Sequence, residues 1–194
     1  MPEIKEIKIA ITGSIGSGKS SVAKIIRDLG YYCFSADDYN HHLMEKGSGV
    51  YDEIVESFNC VDENGNIDRH KLASIVFNDA LKLNHLNRIV HPHIIDKLLK
   101  ELDEHSVFFA EVPLLFELKL DRYFDYIVVV IVDEESRNRR LSLRGIGEEA
   151  IKDRLKYQLP QSSKIKNADI IIDNSGSIND LKADVKKILE ILGI

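Results

Sequence analysis

The stretch that decides the fold of this 194-residue chain is Ile7-Lys8-Ile9-Ala10-Ile11-Thr12-Gly13-Ser14-Ile15-Gly16-Ser17-Gly18-Lys19-Ser20. Its first half is a short apolar run that ends at a glycine, as a buried strand does. Its second half matches the pattern G-x-x-x-x-G-K-[ST]. The residues that follow carry apolar side chains at helical spacing, namely Val22, Ile25, Ile26 and Leu29. The stretch therefore predicts a strand, a glycine-rich turn and a helix in direct succession.

Each part of this pattern suits an anion. Glycines let backbone N–H groups turn inward, and the helix that starts near Lys19 adds its positive N-terminal end. The Lys19 ammonium reaches the outer phosphates of a nucleotide, and the Ser20 hydroxyl ligates Mg²⁺. We therefore predict a P-loop that binds ATP with Mg²⁺. The predicted ATP-binding residues of the loop are Gly13, Ser14, Ile15, Gly16, Ser17, Gly18, Lys19, Ser20 and Ser21.

Short apolar segments separated by helical stretches indicate an α/β protein. Besides 7–12, the predicted strands are 31–34, 106–111, 126–132 and 170–172. We expect a P-loop NTPase-type parallel five-stranded sheet flanked by helices. The last of these helices has an apolar face made of Leu181, Val185, Ile188, Leu189 and Leu192.

Two segments are too long or too basic for a simple alternation of strands and helices. Residues 38–105 exceed what one crossover helix needs, and they predict an inserted helical lobe for the acceptor substrate. Within this segment, Pro92 suits the first position of a helix. Residues 136–161 are rich in arginine and predict a helical lid. The nucleotide-binding core would then consist of residues 1–37, 106–135 and 162–194.

Composition limits the classes of partner. The formal net charge is −6, which argues against a broad nucleic-acid surface because such a surface needs a basic face. No apolar run approaches the roughly 20 residues that span a bilayer, and the N-terminal residues lack a signal pattern. Cys33 and Cys60 suit free thiols in a reducing compartment. We expect a cytoplasmic protein, favour a monomer, and expect neither nucleic-acid nor membrane binding.

Carboxylates follow three of the predicted strands, at the edge of the sheet where ligands gather. Asp37 follows the second strand and is our candidate for accepting the proton of an attacking hydroxyl; a capping role for Asp37 or Asp38 on the next helix is an equal alternative. Glu111 and Asp133 end later strands, and either suits Mg²⁺. We prefer Glu111 because Asp133 also suits the start of a helix.

Arg137, Arg140 and Arg144 are spaced so that a helix places them on one face. Arginines on a flap neutralise charge on a transferring phosphoryl group. The alternative is a solvated face paired with nearby glutamates, and for the cluster as a whole we favour the functional interpretation. The histidines match no zinc pattern.

The loop alone does not choose the reaction. The sequence lacks the Asn-Lys-x-Asp motif of guanine-binding proteins, and this argues against a GTPase. The helical insertion and the basic segment favour a kinase. Two alternatives stay open: another P-loop kinase for a nucleoside or nucleotide, and a nucleotide-dependent switch without phosphotransfer.

The sequence resembles the dephospho-CoA kinase family in blocks that run nearly end to end. These blocks are Thr12 to Ser20, Ala36-Asp37, Gly65-Asn66-Ile67-Asp68-Arg69, Val76-Phe77, Ile89-Val90-His91-Pro92-His93-Ile94, Glu111-Val112-Pro113-Leu114-Leu115-Phe116-Glu117, Arg140-Leu141, Arg144, Arg154, Gln158, and Ala168-Asp169-Ile170-Ile171-Ile172-Asp173-Asn174-Ser175-Gly176. The last long block and the Val-Pro-Leu-Leu-Phe-Glu block make the resemblance specific.

The resemblance implies a core, a lobe for the CoA substrate and a lid. It also implies transfer of the γ-phosphoryl group of ATP to the ribose 3′-hydroxyl of dephospho-CoA, with Mg²⁺. The residues that it marks as catalytic are Lys19, Asp37 as the base, Arg144 as the lid arginine, and Arg140 close by. It places His91, Pro113 and Leu114 on the acceptor side and Asn174 near the adenine.

The chain departs from the family pattern at three positions. Ser35 stands where the family usually has aspartate, Arg137 where it often has glutamine, and Gly145 where it often has aspartate.

Overall fold

A computed structural model describes residues 6–194, except for the side chains of residues 148 and 150. Residues 1–5, where the predicted core begins and the signal pattern was judged absent, lie outside the described residues. The described strands are β1 (Ile7–Gly13), β2 (Cys33–Ser35), β3 (Val107–Glu111), β4 (Tyr126–Ile131) and β5 (Ile170–Asp173). They form one parallel sheet in the order β2-β3-β1-β4-β5. The prediction of a five-stranded parallel sheet is confirmed.

The sheet has β1 at its centre, where Ile9, Ala10 and Ile11 are fully buried. Burial on both faces explains why β1 is a nearly continuous apolar run instead of an alternating one. The second strand is shorter than predicted and begins at Cys33, because the N–H of Tyr31 donates to Ile26 O at the end of the first helix. The backbone N–H of Tyr31 therefore bonds to the end of the first helix and is not part of the sheet.

Helices follow or join the strands. In chain order they are α1 (Lys19–Asp28), α2 (Ala36–Leu43), α3 (Tyr51–Phe58), α4 (Arg69–Val76), α5 (Ala80–Glu104), α6 (Glu134–Leu143), α7 (Glu148–Lys156), α8 (Gln161–Lys166) and α9 (Ile178–Leu192), with a short 3₁₀ helix at Asp121–Tyr123. The α1 and α9 helices share one apolar core with the sheet. The buried face of α9 is the predicted one, made of Leu181, Val185, Ile188, Leu189 and Leu192.

The described residues divide into two compact units, 6–35 with 101–194, and 36–100. The first, the sheet unit, contains all five strands. The second, the helical unit, contains α2, α3, α4 and most of α5. It has its own apolar core, which includes Val50, Ile54, Leu72 and Leu86. The boundaries of the predicted lobe at 38–105 and lid at 136–161 remain predictions.

The longest helix shows where the sequence interpretation was wrong. Pro92 does not begin a helix; it lies inside α5, which begins at Ala80. The carboxylate of Asp79 accepts from the N–H groups of Leu81 and Lys82 and so caps the earlier start. A proline inside a helix lacks an N–H donor and its ring crowds the carbonyl four residues earlier, and burial of Ile89 and other apolar residues offsets this cost. Among residues 6–194, no helix is long and apolar enough to cross a membrane.

Candidate active site

The glycine-rich loop connects the central strand to α1 at the carboxyl edge of the sheet. Gly13 has φ +152°, and a Cβ there would lie 2.3 Å from Val130 O on the neighbouring strand. Gly18 has φ +96°, and a Cβ there would lie 2.0 Å from Nδ2 of Asn174. Both positions therefore need glycine for backbone conformation and for close approach. The α1 helix begins at Lys19 without a side-chain cap, so its first N–H groups point toward the loop.

Two polar side chains are buried in the loop. Lys19 is 7% exposed, and its Nζ donates to Ser14 O at 3.1 Å, so the ammonium folds back over the loop. Ser17 Oγ is buried and has no hydrogen-bond partner among the described residues. A positive end of a helix, a buried ammonium and inward-facing loop amides together favour an anion.

A carboxylate lies beside the loop at the end of the adjacent strand. Glu111 is 2% exposed, and its Oε1 accepts from Ser20 Oγ at 2.7 Å. A hydroxyl and a carboxylate are hard oxygen donors of the kind that Mg²⁺ prefers, so this pair fits the ion. The other carboxylate considered for the metal, Asp133, is the N-cap of α6. The N–H of Ser136 donates to Asp133 and holds the pKa of its carboxyl below its ordinary value.

The arginine helix α6 crosses the glycine-rich loop. A Cβ on Gly16 would lie 3.0 Å from Arg137 Cγ, which shows how closely α6 approaches. The Arg140 guanidinium donates to Asn174 O at 2.6 Å. The Arg137 guanidinium pairs with Glu134 at 3.0 Å, and Arg139 is exposed. Of the three arginines predicted to act together, Arg137 and Arg140 therefore have different partners, and Arg144 follows α6 as its C-cap residue.

A pocket of about 230 Å³ opens between the loop and α6. It is lined by Gly16, Gly18, Ser21, Arg140, Arg144, Asn174, Gly176, Ile178 and Leu181. Six of these residues carry predicted ATP-binding or catalytic roles, and they come from three distant parts of the sequence. The pocket thus brings together phosphate-loop glycines, two guanidinium groups and the start of α9.

Asn174, predicted to bind ATP, also supports the loop. Its Nδ2 donates to Ser17 O at 2.8 Å, and its backbone N–H donates to Ile131 O at 2.9 Å. Its carbonyl accepts from Arg140. One residue thus joins the loop, the sheet and the arginine helix.

The segment after β3 contains a buried ion pair that sequence reasoning missed. Lys164 is fully buried on α8. Its Nζ lies 3.0 Å from Glu117 Oε1 and donates to Pro113 O at 3.0 Å. Pro113 O also accepts from Thr12 Oγ1 at 3.4 Å. Leu114, predicted with Pro113 to face the acceptor, is half-buried.

The remaining predicted residues belong to the helical unit. Asp37 and Asp38 are exposed in the first turn of α2, which begins at Ala36 directly after the last residue of β2. Asp37 therefore lies inside the helix and not at the position before it. His91 is half-buried in α5, and burial lowers the pKa of its imidazole.

Comparison with known proteins gives a consistent match. The family model described as "Dephospho-CoA kinase" matches residues 7–180. A curated dephospho-CoA kinase of Aquifex aeolicus is 43% identical over 188 residues, covering 94% of this chain and 96% of that protein.

Two solved structures extend the match to the fold. The protein TT1252 from Thermus thermophilus superposes with a TM-score of 0.80 and 34% identity, covering 97% of this chain and 98% of that one. The dephospho-CoA kinase from Campylobacter jejuni superposes with a TM-score of 0.69 and 30% identity, covering 95% and 96%.

Proposed function

Since the chain belongs to the dephospho-CoA kinase family, we propose that it transfers the γ-phosphoryl group of ATP to the ribose 3′-hydroxyl of dephospho-CoA. The products are coenzyme A and ADP. The observation that carries phosphoryl transfer is the pocket where Gly16 and Gly18 meet Arg140 and Arg144. The family match supports the choice of acceptor.

The sheet unit supplies the groups for the donor. The loop amides and the Lys19 ammonium bind the β- and γ-phosphates, and Arg140 and Arg144 offset charge that builds on the transferring group. Ser20 and Glu111 would hold Mg²⁺, which when bound neutralises charge on the phosphates. Asn174 supports the adenine side of the pocket.

Asp37 is the proposed base. The acceptor oxygen forms a bond to the γ-phosphorus while the bond from that phosphorus to the β–γ bridging oxygen breaks. The hydroxyl proton passes to the Asp37 carboxylate. The Asp37 carboxylate is exposed in the first turn of α2 and is therefore accessible to a substrate. We assign His91, Pro113 and Leu114 to the acceptor side.

Cys33 and Cys60 are buried free thiols, which suits a reducing cytoplasm.

An ADP-release assay tests the reaction. It compares dephospho-CoA, adenosine, nucleoside monophosphates and no acceptor at saturating ATP. We expect release of ADP that depends on dephospho-CoA. Equal release without an acceptor would instead identify a nucleotide-hydrolysing switch, and faster turnover with a nucleoside monophosphate would identify a nucleotide kinase.

Asp37→Asn tests the proposed base. Asparagine keeps the shape of the side chain but cannot accept the proton, so we expect kcat to fall on the order of 10²-fold with unchanged melting and unchanged ATP affinity. Asp38→Asn is the matched control, since it makes the same change one residue later in the same exposed turn. A wild-type kcat in the Asp37→Asn variant would show that Asp37 is not the base.

A further inference from the structure

Gln158 contacts the glycine-rich loop although it is far from the loop in the sequence. Its Oε1 accepts from the N–H of Ile15 at 3.0 Å, across 143 positions of the chain. An N–H must face an acceptor, so this contact fixes the orientation of the whole carboxamide. The Nε2 group then has a determined position, and neither of its hydrogens has a partner among the backbone and side-chain groups that the structure describes. The two uncharged N–H donors of Gln158 Nε2 therefore lie next to a loop that favours phosphate.

The backbone beside Gln158 is held by the buried ion pair described above. The N–H of Leu159 donates to Glu117 Oε1 at 2.7 Å, the same oxygen that pairs with Lys164. A fully buried ammonium is costly unless it is paired, so Lys164 and Glu117 hold each other in place. On the other side, the N–H of Gln158 donates to Leu155 O at the end of α7.

This arrangement differs from that of an ordinary surface glutamine. A glutamine side chain loses much rotational freedom when it is fixed, and it does so here before any ligand is bound. Fixing a donor in advance lowers the cost of binding a charged oxygen. A role limited to supporting Ile15 would use only the oxygen of the carboxamide.

We propose that Gln158 is a phosphate-positioning residue: its Oε1 orients the Ile15 amide, and its Nε2 donates to a phosphate oxygen of bound ATP. The inference rests on the proposed function for its biological setting. The contact itself concerns ATP alone and needs no acceptor.

Gln158→Glu separates the two halves of this role. The variant keeps an oxygen for the Ile15 N–H but replaces the donor with a negative oxygen. We expect the Kd for ATP, measured by calorimetry without acceptor, to rise on the order of 10- to 100-fold, since hydrogen bonds to charged groups are the strong ones. The melting temperature of the ATP-free protein should stay at the wild-type value, and the KM for dephospho-CoA should not change.

Two further variants complete the test. Gln161→Glu is the matched control, because it makes the same substitution three residues later in the first turn of α8, and its Kd for ATP should stay within about twofold of wild type. Gln158→Leu removes donor and acceptor without adding charge, and it should weaken ATP binding about tenfold. A wild-type Kd for ATP in Gln158→Glu would overturn the proposal and leave Gln158 a support for Ile15. Because this readout is ATP binding, it stands apart from failure of the acceptor assay.

Discussion

The glycine-rich loop and the arginine helix α6 line the same pocket but are held in different ways. The loop is fixed by residues far away in the sequence: Asn174 binds Ser17 O and Gln158 binds Ile15 N. The arginines of α6 are held less uniformly: Arg140 donates to the distant Asn174 O, whereas Arg137 pairs with Glu134 only three residues earlier. Glu134 is 80% exposed, so this pair adds little stability.

The difference separates two contributions to phosphoryl transfer. Groups fixed before the ligand arrives need no reorganisation when charge develops, so the loop can contribute to both binding and rate. An exposed arginine such as Arg144, which lines the pocket, contributes mainly when a nucleotide is bound. We therefore expect substitutions in the loop to have larger effects than substitutions on α6.

The largest expected effect is at the fixed ammonium. Lys19→Ala should lower kcat on the order of 10²- to 10³-fold, because the charge offsets the negative charge that grows in the transition state. Steady-state kinetics and circular dichroism measure the rate and the fold. Lys24→Ala, which removes an exposed lysine from the same helix, should behave as wild type. Near-normal kcat in a folded Lys19→Ala protein would contradict the expectation that the loop contributes more to the rate than α6 does.

A smaller effect is expected on the arginine helix. Arg144→Ala should lower kcat/KM for ATP about tenfold or more, since Arg144 lines the pocket. Arg139→Ala removes an exposed guanidinium from the same helix and should change kcat/KM less than twofold. Equal losses in the two variants would show that α6 acts through its total charge and not through the pocket.

The smallest effect concerns how α6 begins. Asp133 caps this helix, and the N–H of Ser136 lowers the pKa of its carboxyl. A carboxyl whose pKa is lower in the folded protein stabilises the fold above the unfolded pKa near 4, and this contribution is lost as the pH falls through the folded value. Asp133→Asn keeps the cap without titrating.

The melting temperature of the wild type should therefore fall more than that of Asp133→Asn between about pH 7 and about pH 3. The two falls should differ by a few degrees at most. Thermal denaturation followed by circular dichroism measures the difference. Glu135→Gln removes one charge from the same helical turn without changing the cap, and it should follow wild type. If the melting temperatures of wild type and Asp133→Asn fell equally with pH, the Asp133 cap would not make a pH-dependent contribution to stability. In that respect α6 would not differ from α1, which has no side-chain cap.

The sequence predicted the sheet well because β1 and the loop have strong local signals. An apolar run followed by G-x-x-x-x-G-K-[ST] is contiguous, so it can be recognised without knowing what packs on it. The start of α5 was harder to predict, because Pro92 is a strong local signal that burial of distant side chains overrides. The wrong start shows that proline marks a helix end only where packing does not favour continuation.

The network around Gln158 and Lys164 had no such signal. Lys164 lies in a polar segment and looks like a surface residue, and only its partner Glu117, forty-seven positions earlier, reveals its burial. Buried polar pairs between distant segments have no sequence period. The roles of Asp37 and Arg144 were suggested by the family resemblance and remain proposals.

The bond from Asn174 to Ser17 also has a consequence for biosynthesis. The glycine-rich loop leaves the ribosome well before the side chain that holds it, which is made 157 residues later. The central strand must likewise wait for β3 and β4 on its two sides. A nascent chain that has not reached Asn174 therefore carries the whole nucleotide-binding motif without the contact that sets its shape, and it becomes competent for ATP only after Asn174 has been added.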